Sequence, residues 1–484
     1  MASPTLAPAP PASAEHTAEA ARTTPPRWLR WATLITLIVV ALVIRIQFLD
    51  IETLDYRAFL SRWYETLDTQ GFGAFREKFA DYNYPYLYLI WILTALNMPA
   101  LIGIKVISIA FDVLLAFFAY RIVALRTPRF SLRALAFGIV LLLPSVIANS
   151  AYWGQADAIY SAFVLGGVYF LMRAMRATPQ SSRMNSIWAC VMFGVAIAFK
   201  LQAVFVMPVL LWLLIRQRLP WYSLLAIPIV YVLLDLPALV AGAPWHEALT
   251  VYLDQTGSYQ QLTLGAANLY QLIPVSGDVT WLAQLGIAVA AAIIVAFLVW
   301  SVWKRPAVTP TSILAVATAS SVLVPFLLPA MHDRYFYTAE ILSVVLAFYL
   351  PLRFVLIPIL IQAAAIGVYH ASLTGDQGQL MGGPGGGAAA RPGGPGGGAA
   401  FDGTVAGGPG RGDRGASSGP GSSGQGPSRG DDGYSSGRGD AALSIYASMM
   451  GLAALGVVYA VFDIVRRGRA RNERDTGSPF RNRL

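Results

Sequence analysis

One cysteine, four histidines and only 13% charged residues are spread over the 484 positions of this chain. The lone cysteine, Cys190, lies in an apolar run, which excludes an intramolecular disulfide and a cysteine-based metal cluster. With charge this sparse and 56% of residues hydrophobic, a soluble core could not absorb the apolar sequence; repeated apolar runs mark a polytopic helical membrane protein. Acidic residues are outnumbered by basic ones, 26 against 35, for a net charge of +9. The arginines, however, fall in short clusters between apolar runs, which is what membrane topology produces and not what a nucleic-acid surface needs. No second copy of the first half of the chain is visible, and no tight metal-ligand motif occurs.

Apolar runs fall at about 31–48, 85–98, 100–120, 134–149, 158–172, 187–199, 201–215, 221–241, 281–303, 312–329, 338–350, 354–369 and 442–465. The first is too long for a signal peptide and lacks a small-residue cleavage end, so it is read as a retained helix. If every run crossed, the basic segment RIVALRTPRFSLR (121–133) would face the side opposite Arg27 and Arg30, against the tendency of positive charge to stay cytoplasmic. Holding the tyrosine-rich YPYLYLIWILTALNMP (84–99) at one interface removes the conflict. Arg121 to Arg133, Arg173 to Arg183, Arg216 and Arg218, Lys304 and Arg305, Arg353, and Arg466 to Arg471 then share one side. The expectation is an all-α protein of about twelve transmembrane helices with both termini cytoplasmic. Its domains run as a disordered tail (1–26), a membrane domain (27–372), a Gly/Pro/Ser-rich disordered external linker (373–440), and a last helix with a basic tail (441–484). The linker carries RGD at 411–413, 429–431 and 438–440; low complexity explains the repeats better than adhesion does.

On the outer side this topology gathers polar residues. Between Asp55 and Leu67, the positions Tyr56, Phe59, Leu60, Trp63, Tyr64 and Leu67 recur at helical spacing, predicting an interfacial helix with Arg57, Arg62 and Glu65 toward water. Asp55 stands at its start, where capping alone would account for a carboxylate. NSAYWGQADAIY (149–160) opens another helix with Asp157 in its first turn; Trp153, Gln155 and Asp157 make an aromatic, polar rim of the kind that holds a sugar, although a helix-start acid is the plainer reading. Lys200 in FKLQ falls at the outer junction of two short helices, where a snorkelling lysine is common. Lys105 and Asp112 lie two helical turns apart on one face inside an apolar run, a costly placement that points to a cavity or to ion pairs. His332 and Arg334 in MHDRYFY come out on the same side. Cations at headgroup level suit a lipid-borne phosphate, and a nearby carboxylate suits removal of a proton from a hydroxyl.

Six stretches, taken in order, resemble the GT-C glycosyltransferases, most closely the bacterial relatives of Gpi18-type mannosyltransferases: DYRAFLSRWYETL, YNYPYLYL, IKVISIAFDVLL, SAYWGQADAIY, FKLQAVFVMPVLL and MHDRYFY. They run through residues 31–350. The chain departs from the family where Tyr84-Pro85-Tyr86 replaces a frequent pair of prolines, which bears on acceptor recognition. The resemblance implies a polyprenyl-phosphate-sugar donor, an inverting displacement and a first-loop general base, Asp55. It implies Lys105, Lys200, His332 and Arg334 as donor-phosphate ligands, and Trp153, Gln155, Asp157 and Tyr84 as sugar or acceptor contacts. Some relatives use a divalent cation such as Mg or Mn; Asp50, Glu52 and Asp157 are the candidate ligands here. The sugar expected is a hexose, mannose by family weight, and the acceptor a lipid, a glycan or a protein. The location implied is a bacterial plasma membrane, with the active site on the external face. Two other readings stand beside this one: a transporter or flippase of a lipid-linked sugar, and a non-catalytic scaffold. The first calls for paired halves and midplane polar residues; the second leaves the ordered acid and cation motifs unexplained.

Overall fold

The computed structural model describes residues 25–257, 259–374 and 433–476. Its helices are α1 (Arg27–Ile46), α2 (Ser61–Gln70), α3 (Tyr84–Ala95), α4 (Ala100–Arg126), α5 (Phe130–Leu142), α6 (Pro144–Ile147), α7 (Asp157–Ala174), α8 (Pro179–Phe199) and α9 (Pro208–Ile215). There follow α10 (Ala226–Ala241), α11 (Trp245–Gly257), α12 (Thr280–Lys304), α13 (Pro310–Leu327), α14 (Tyr337–Ala347), α15 (Leu356–Thr374) and α16 (Ala441–Thr476). Each apolar run of the sequence becomes a helical segment, because in a hydrocarbon environment only a helix satisfies its own backbone groups. Eight helices are long and apolar enough to span a bilayer among the described residues; α5 and the segment 144–153, bent by 45°, make a ninth if counted as one span. The shorter apolar segments Tyr84–Ala95, Leu201–Ile215 and Tyr337–Ala347 account for three further runs, and the run 158–172 forms the buried helix α7. Only 11% of the apolar window of α1 and 17% of that of α12 is buried, against 83% for α13, so the former present large aliphatic faces to lipid. The protein is an all-α, multi-pass membrane protein.

Contacts sort the two ends of the bundle. At one end, Arg121 donates to the Tyr169 hydroxyl (2.6 Å), Arg216 to the carbonyls of Ser301 and Pro306, and Arg353 to Asp463 (2.8 Å). The basic clusters between the apolar runs thus converge on one another. At the other end lie Asp55, Asp157, Lys200 and Arg334. The helix α3 starts beside Asp235 and Ala198, to which Asn83 donates, and it finishes near Met98, whose carbonyl accepts from Tyr64. Both ends of α3 therefore border the carboxylate-bearing end, in keeping with a segment that stays at one interface.

The first loop folds as the spacing predicts. A π-helical turn, Tyr56–Leu60, runs into α2, burying Leu60, Trp63 and Leu67 while Arg57, Arg62 and Glu65 are exposed. The buried aromatic face packs on α3 and on the segment leading into it, where Trp63 lies 5.3 Å from Tyr82. Lys105 and Asp112 do share a face of α4, but not a partner. Asp112 is gripped by Arg45 of α1 through Nε (3.0 Å) and Nη2 (2.9 Å), with Ser150 donating at 2.6 Å, whereas Lys105 donates to the carbonyls of Phe48 and Ile51 at 2.6 Å each. Two charges thus tie α1 and its exit to α4.

The only sheet among the described residues is a pair of two-residue strands, β1 (Thr263–Leu264) and β2 (Met331–His332). They run parallel with Leu264 opposite His332. It anchors the loop between α13 and α14 to the segment preceding α12. Of the expected disordered linker, residues 433–440 are ordered against that same segment, with Leu262 donating to the Ser435 carbonyl at 2.9 Å. The RGD copies at 411–413 and 429–431 lie outside the described residues.

Candidate active site

Four chain segments that are distant in sequence meet at the carboxylate-bearing end. Asp55 sits at the start of the π-helical turn but makes no side-chain cap there. Its Oδ2 instead accepts from Trp153 Nε1 (3.0 Å) and Gln155 Nε2 (2.5 Å), and the capping account does not hold for it. The π-helical turn Ala148–Trp153 ends at Gly154, whose φ of 77° is left-handed, a conformation glycine adopts without strain. That reversal brings the Trp153 and Gln155 side chains to the same carboxylate. Ser108 holds the Gln155 carbonyl at 2.7 Å.

Asp157, at the start of α7, is fully buried. Its Oδ1 takes the Lys200 ammonium at 2.5 Å, and its Oδ2 accepts from Asn149 Nδ2 at 2.9 Å. Lys200 is extended (φ −159°, ψ 134°) at the break between α8 and the next helical turn, which turns its side chain inward, so it pairs and does not snorkel. An unpaired charge at this depth would cost several kcal/mol, roughly 3–5 on removal of one partner.

Arg334 links the two carboxylates without bonding closely to either. Its Nη1 lies 3.5 Å from Asp55 and 3.5 Å from Asp333, and its Nε lies 3.9 Å from Asp157. These are long for hydrogen bonds. Its Nε has no hydrogen-bond partner, and the guanidinium stands over the Trp153 ring at 5.4 Å. The carboxylates around it hold its pKa well above the usual value, against burial, so it stays charged. His332 is buried between Tyr259 (4.8 Å) and Tyr335 (5.1 Å), with its Nδ1 lacking a partner. Burial, and then the charges of Arg334 and Lys200, push its pKa well below 6.5 and keep it neutral. Burial also raises Asp333 to about 6, although Arg334 and a hydrogen bond from Ser372 pull the other way.

The structure therefore brings together Asp55, Trp153, Gln155, Asp157, Lys200, His332 and Arg334. Lys105 is occupied by its two carbonyls. Tyr84 lies apart, beside a cavity of about 20 Å³, room for one water, lined also by Asn83 and Glu247. Tyr82 is the tyrosine that faces the site, with the Lys200 ammonium 5.5 Å from its ring. Asp50, Glu52 and Asp157 do not gather: Glu52 pairs with Arg57 at the exposed surface (2.8 Å), and no group of three His, Cys, Asp or Glu side chains suited to a metal occurs among the described residues. The carboxylates that do converge, Asp55, Asp157 and Asp333, each face the Arg334 guanidinium, and this set does not fit a divalent cation. Asn149, Tyr82, Tyr259, Asp333 and Tyr335 are site residues that the sequence pattern did not single out. Tyr82, Asn149, Asp333 and Tyr335 lie inside YNYPYLYL, NSAYWGQADAIY and MHDRYFY, and that place was their signal; Tyr259 lies outside all of the motifs.

No family model and no curated protein matches the sequence. Among solved structures, the crystal structure of ArnT from Cupriavidus metallidurans in the apo state is similar to it, at 16% identity and a TM-score of 0.41. The match covers 70% of this chain and 64% of that one.

Proposed function

We propose that the chain is an integral-membrane glycosyltransferase of GT-C type. It transfers a hexose, mannose by the resemblance of its motifs, from a polyprenyl-phosphate donor to a hydroxyl of a lipid, glycan or protein. The observation that carries this reading is the pairing at 3.5 Å of Asp55, a carboxylate able to take a proton, with Arg334, a cation whose Nε lacks a partner.

Asp55 serves as the general base. Trp153 and Gln155 donate to one of its oxygens, which fixes the carboxylate's orientation toward the acceptor. The acceptor oxygen loses its proton to Asp55 as it attacks the anomeric carbon from the face opposite the phosphate. The bond from that carbon to the phosphate oxygen breaks, its electron pair leaves with polyprenyl phosphate, and the configuration inverts. Arg334 and, with its proton on Nδ1, His332 hold the departing charge in a largely dry site where such donors act strongly. Lys200 contributes at one remove: by neutralising Asp157 it keeps that carboxylate from binding Arg334 tightly. Aromatic rings of Trp153, Tyr82 and Tyr259 line the approach and suit the apolar face of a sugar.

The site end faces outward on this reading, with both termini cytoplasmic in a bacterial plasma membrane. The deciding experiment incubates purified protein with several polyprenyl-phosphate sugars and candidate acceptors, followed by mass analysis. A product heavier by one hexose supports the reading; donors left intact with every acceptor class overturn it.

A further inference from the structure

The third RGD, residues 438–440, is bonded to the folded protein at its surface, with Arg438 and Asp440 exposed. Arg438 Nε donates to the Gln271 carbonyl at 2.9 Å, the Gly439 amide to Gln271 Oε1 at 3.0 Å, and the Asp440 carboxylate accepts from the Leu443 amide at the start of α16 (3.0 Å). Just before it, Ser435 exchanges backbone bonds with Gln260 and Leu262 at 2.9 Å; the Tyr434 carbonyl accepts from the Val279 amide and its amide donates to Thr280 Oγ1, each at 2.8 Å. Residues 433–440 thus lie as a strap across the segment that precedes α12. Gly437 has φ +62°, and a Cβ there would run into the Thr263 carbonyl oxygen, so the strap closes on β1 only with glycine at this position.

We infer that this strap is a positioning element for the His332–Arg334 loop. Thr263 and Leu264 pair with Met331 and His332, the Ala330 amide donates to the Gln261 and Leu262 carbonyls at 3.1 Å, and Tyr259 packs on the His332 ring. Gln271 joins the layers: it accepts from the strap through its side-chain oxygen and carbonyl and donates to Thr263 Oγ1 at 3.1 Å. Strap, β1 and β2 therefore stack in sequence; β2 carries His332 and leads directly into Arg334, and His332 Nδ1 and Arg334 Nε are buried nitrogens without partners. The essential part of the Gly-rich segment is its final eight residues, not its length. The functional side of this inference rests on the proposed role of Arg334 and His332 in holding the donor phosphate.

The test uses full-length protein in lipid nanodiscs and two readouts. Gly437→Ala and Arg438→Ala are compared with the parent and with a chain lacking residues 390–410. Loosening one or two clamp bonds of about 1 kcal/mol each raises amide exchange at Ala330 and Tyr335 by roughly tenfold in both substituted chains. The shortened chain exchanges like the parent. With a polyprenyl-phosphate sugar, KM rises in the substituted chains more than kcat falls. Faster exchange at 259–264 with unchanged exchange at 330–335 overturns the inference, as does an equal effect of the deletion. Arg438→Ala decides the matter if Gly437→Ala fails to fold. Should the parent bind and transfer no sugar, the glycosyltransferase reading fails, while the exchange measurement still decides whether the strap holds the loop.

Discussion

Trp153 holds Asp55 with its indole N–H at 3.0 Å and carries the Arg334 guanidinium on its ring face at 5.4 Å. One side chain thus fixes both members of the pair on which the proposed chemistry rests. Its own ring is steadied from below by Tyr369, edge-on at 5.5 Å.

Asp55→Asn keeps an oxygen for Trp153 and Gln155 but removes the proposed base. Sugar transfer should fall by about a thousandfold, the usual scale for a lost general base, with donor affinity kept. Rates from product mass analysis beside donor-binding titrations check this, and turnover near the parent's would remove Asp55 from its assigned role.

Arg334→Ala deletes the cation with the free Nε. Charge-assisted bonds of about 1.5–3 kcal/mol correspond to a loss of donor affinity of roughly 10- to 100-fold. Arg334→Lys should recover part of it, since a point charge replaces a fork. Equal affinity in all three proteins counts against a phosphate role.

Donor binding should depend on pH through Asp333. With its pKa raised to about 6, the protonated form is favoured in the folded state. The stability gained by protonation is full below the ordinary aspartate range and lost as pH rises through about 6. Lowering the pH from about 7.5 to about 5.5 neutralises Asp333, frees Arg334 of one carboxylate and strengthens binding of a phosphodiester donor. Asp333→Asn should bind with the same affinity at both values; titrations at the two pH values decide.

Arg45→Ala leaves Asp112 buried without its counter-charge, and should destabilise the protein by about 3–5 kcal/mol. The double change Arg45→Met with Asp112→Leu should recover much of that in thermal unfolding. Full stability of the single variant would show that water reaches the pair.

Membrane sidedness is open to labelling. In a Cys190→Ala background, Lys78→Cys should react with an impermeant reagent added outside, and Arg129→Cys only after the membrane is opened. Outside access at position 129 reverses the proposed orientation.

The apolar runs, the alternation of basic clusters and the buried stripe from Tyr56 to Leu67 were legible in the sequence. Hydropathy and helical period are local properties that add along a chain, and the bilayer penalises any backbone that departs from them. Side-chain partnership is not local. Nothing near Lys105 announced that its ammonium would meet the Phe48 and Ile51 carbonyls, nor did anything near Asp55 announce Trp153. Those outcomes depend on how bent helices pack and on which tyrosine of a run, Tyr82 and not Tyr84, turns toward Lys200. The sequence by itself determined a helical membrane bundle and the motifs that carry the acids and cations of the site. Tertiary packing decided which of them touch, because a hydrogen bond is made or lost within an ångström and no periodicity along one chain fixes distances between separate helices at that scale.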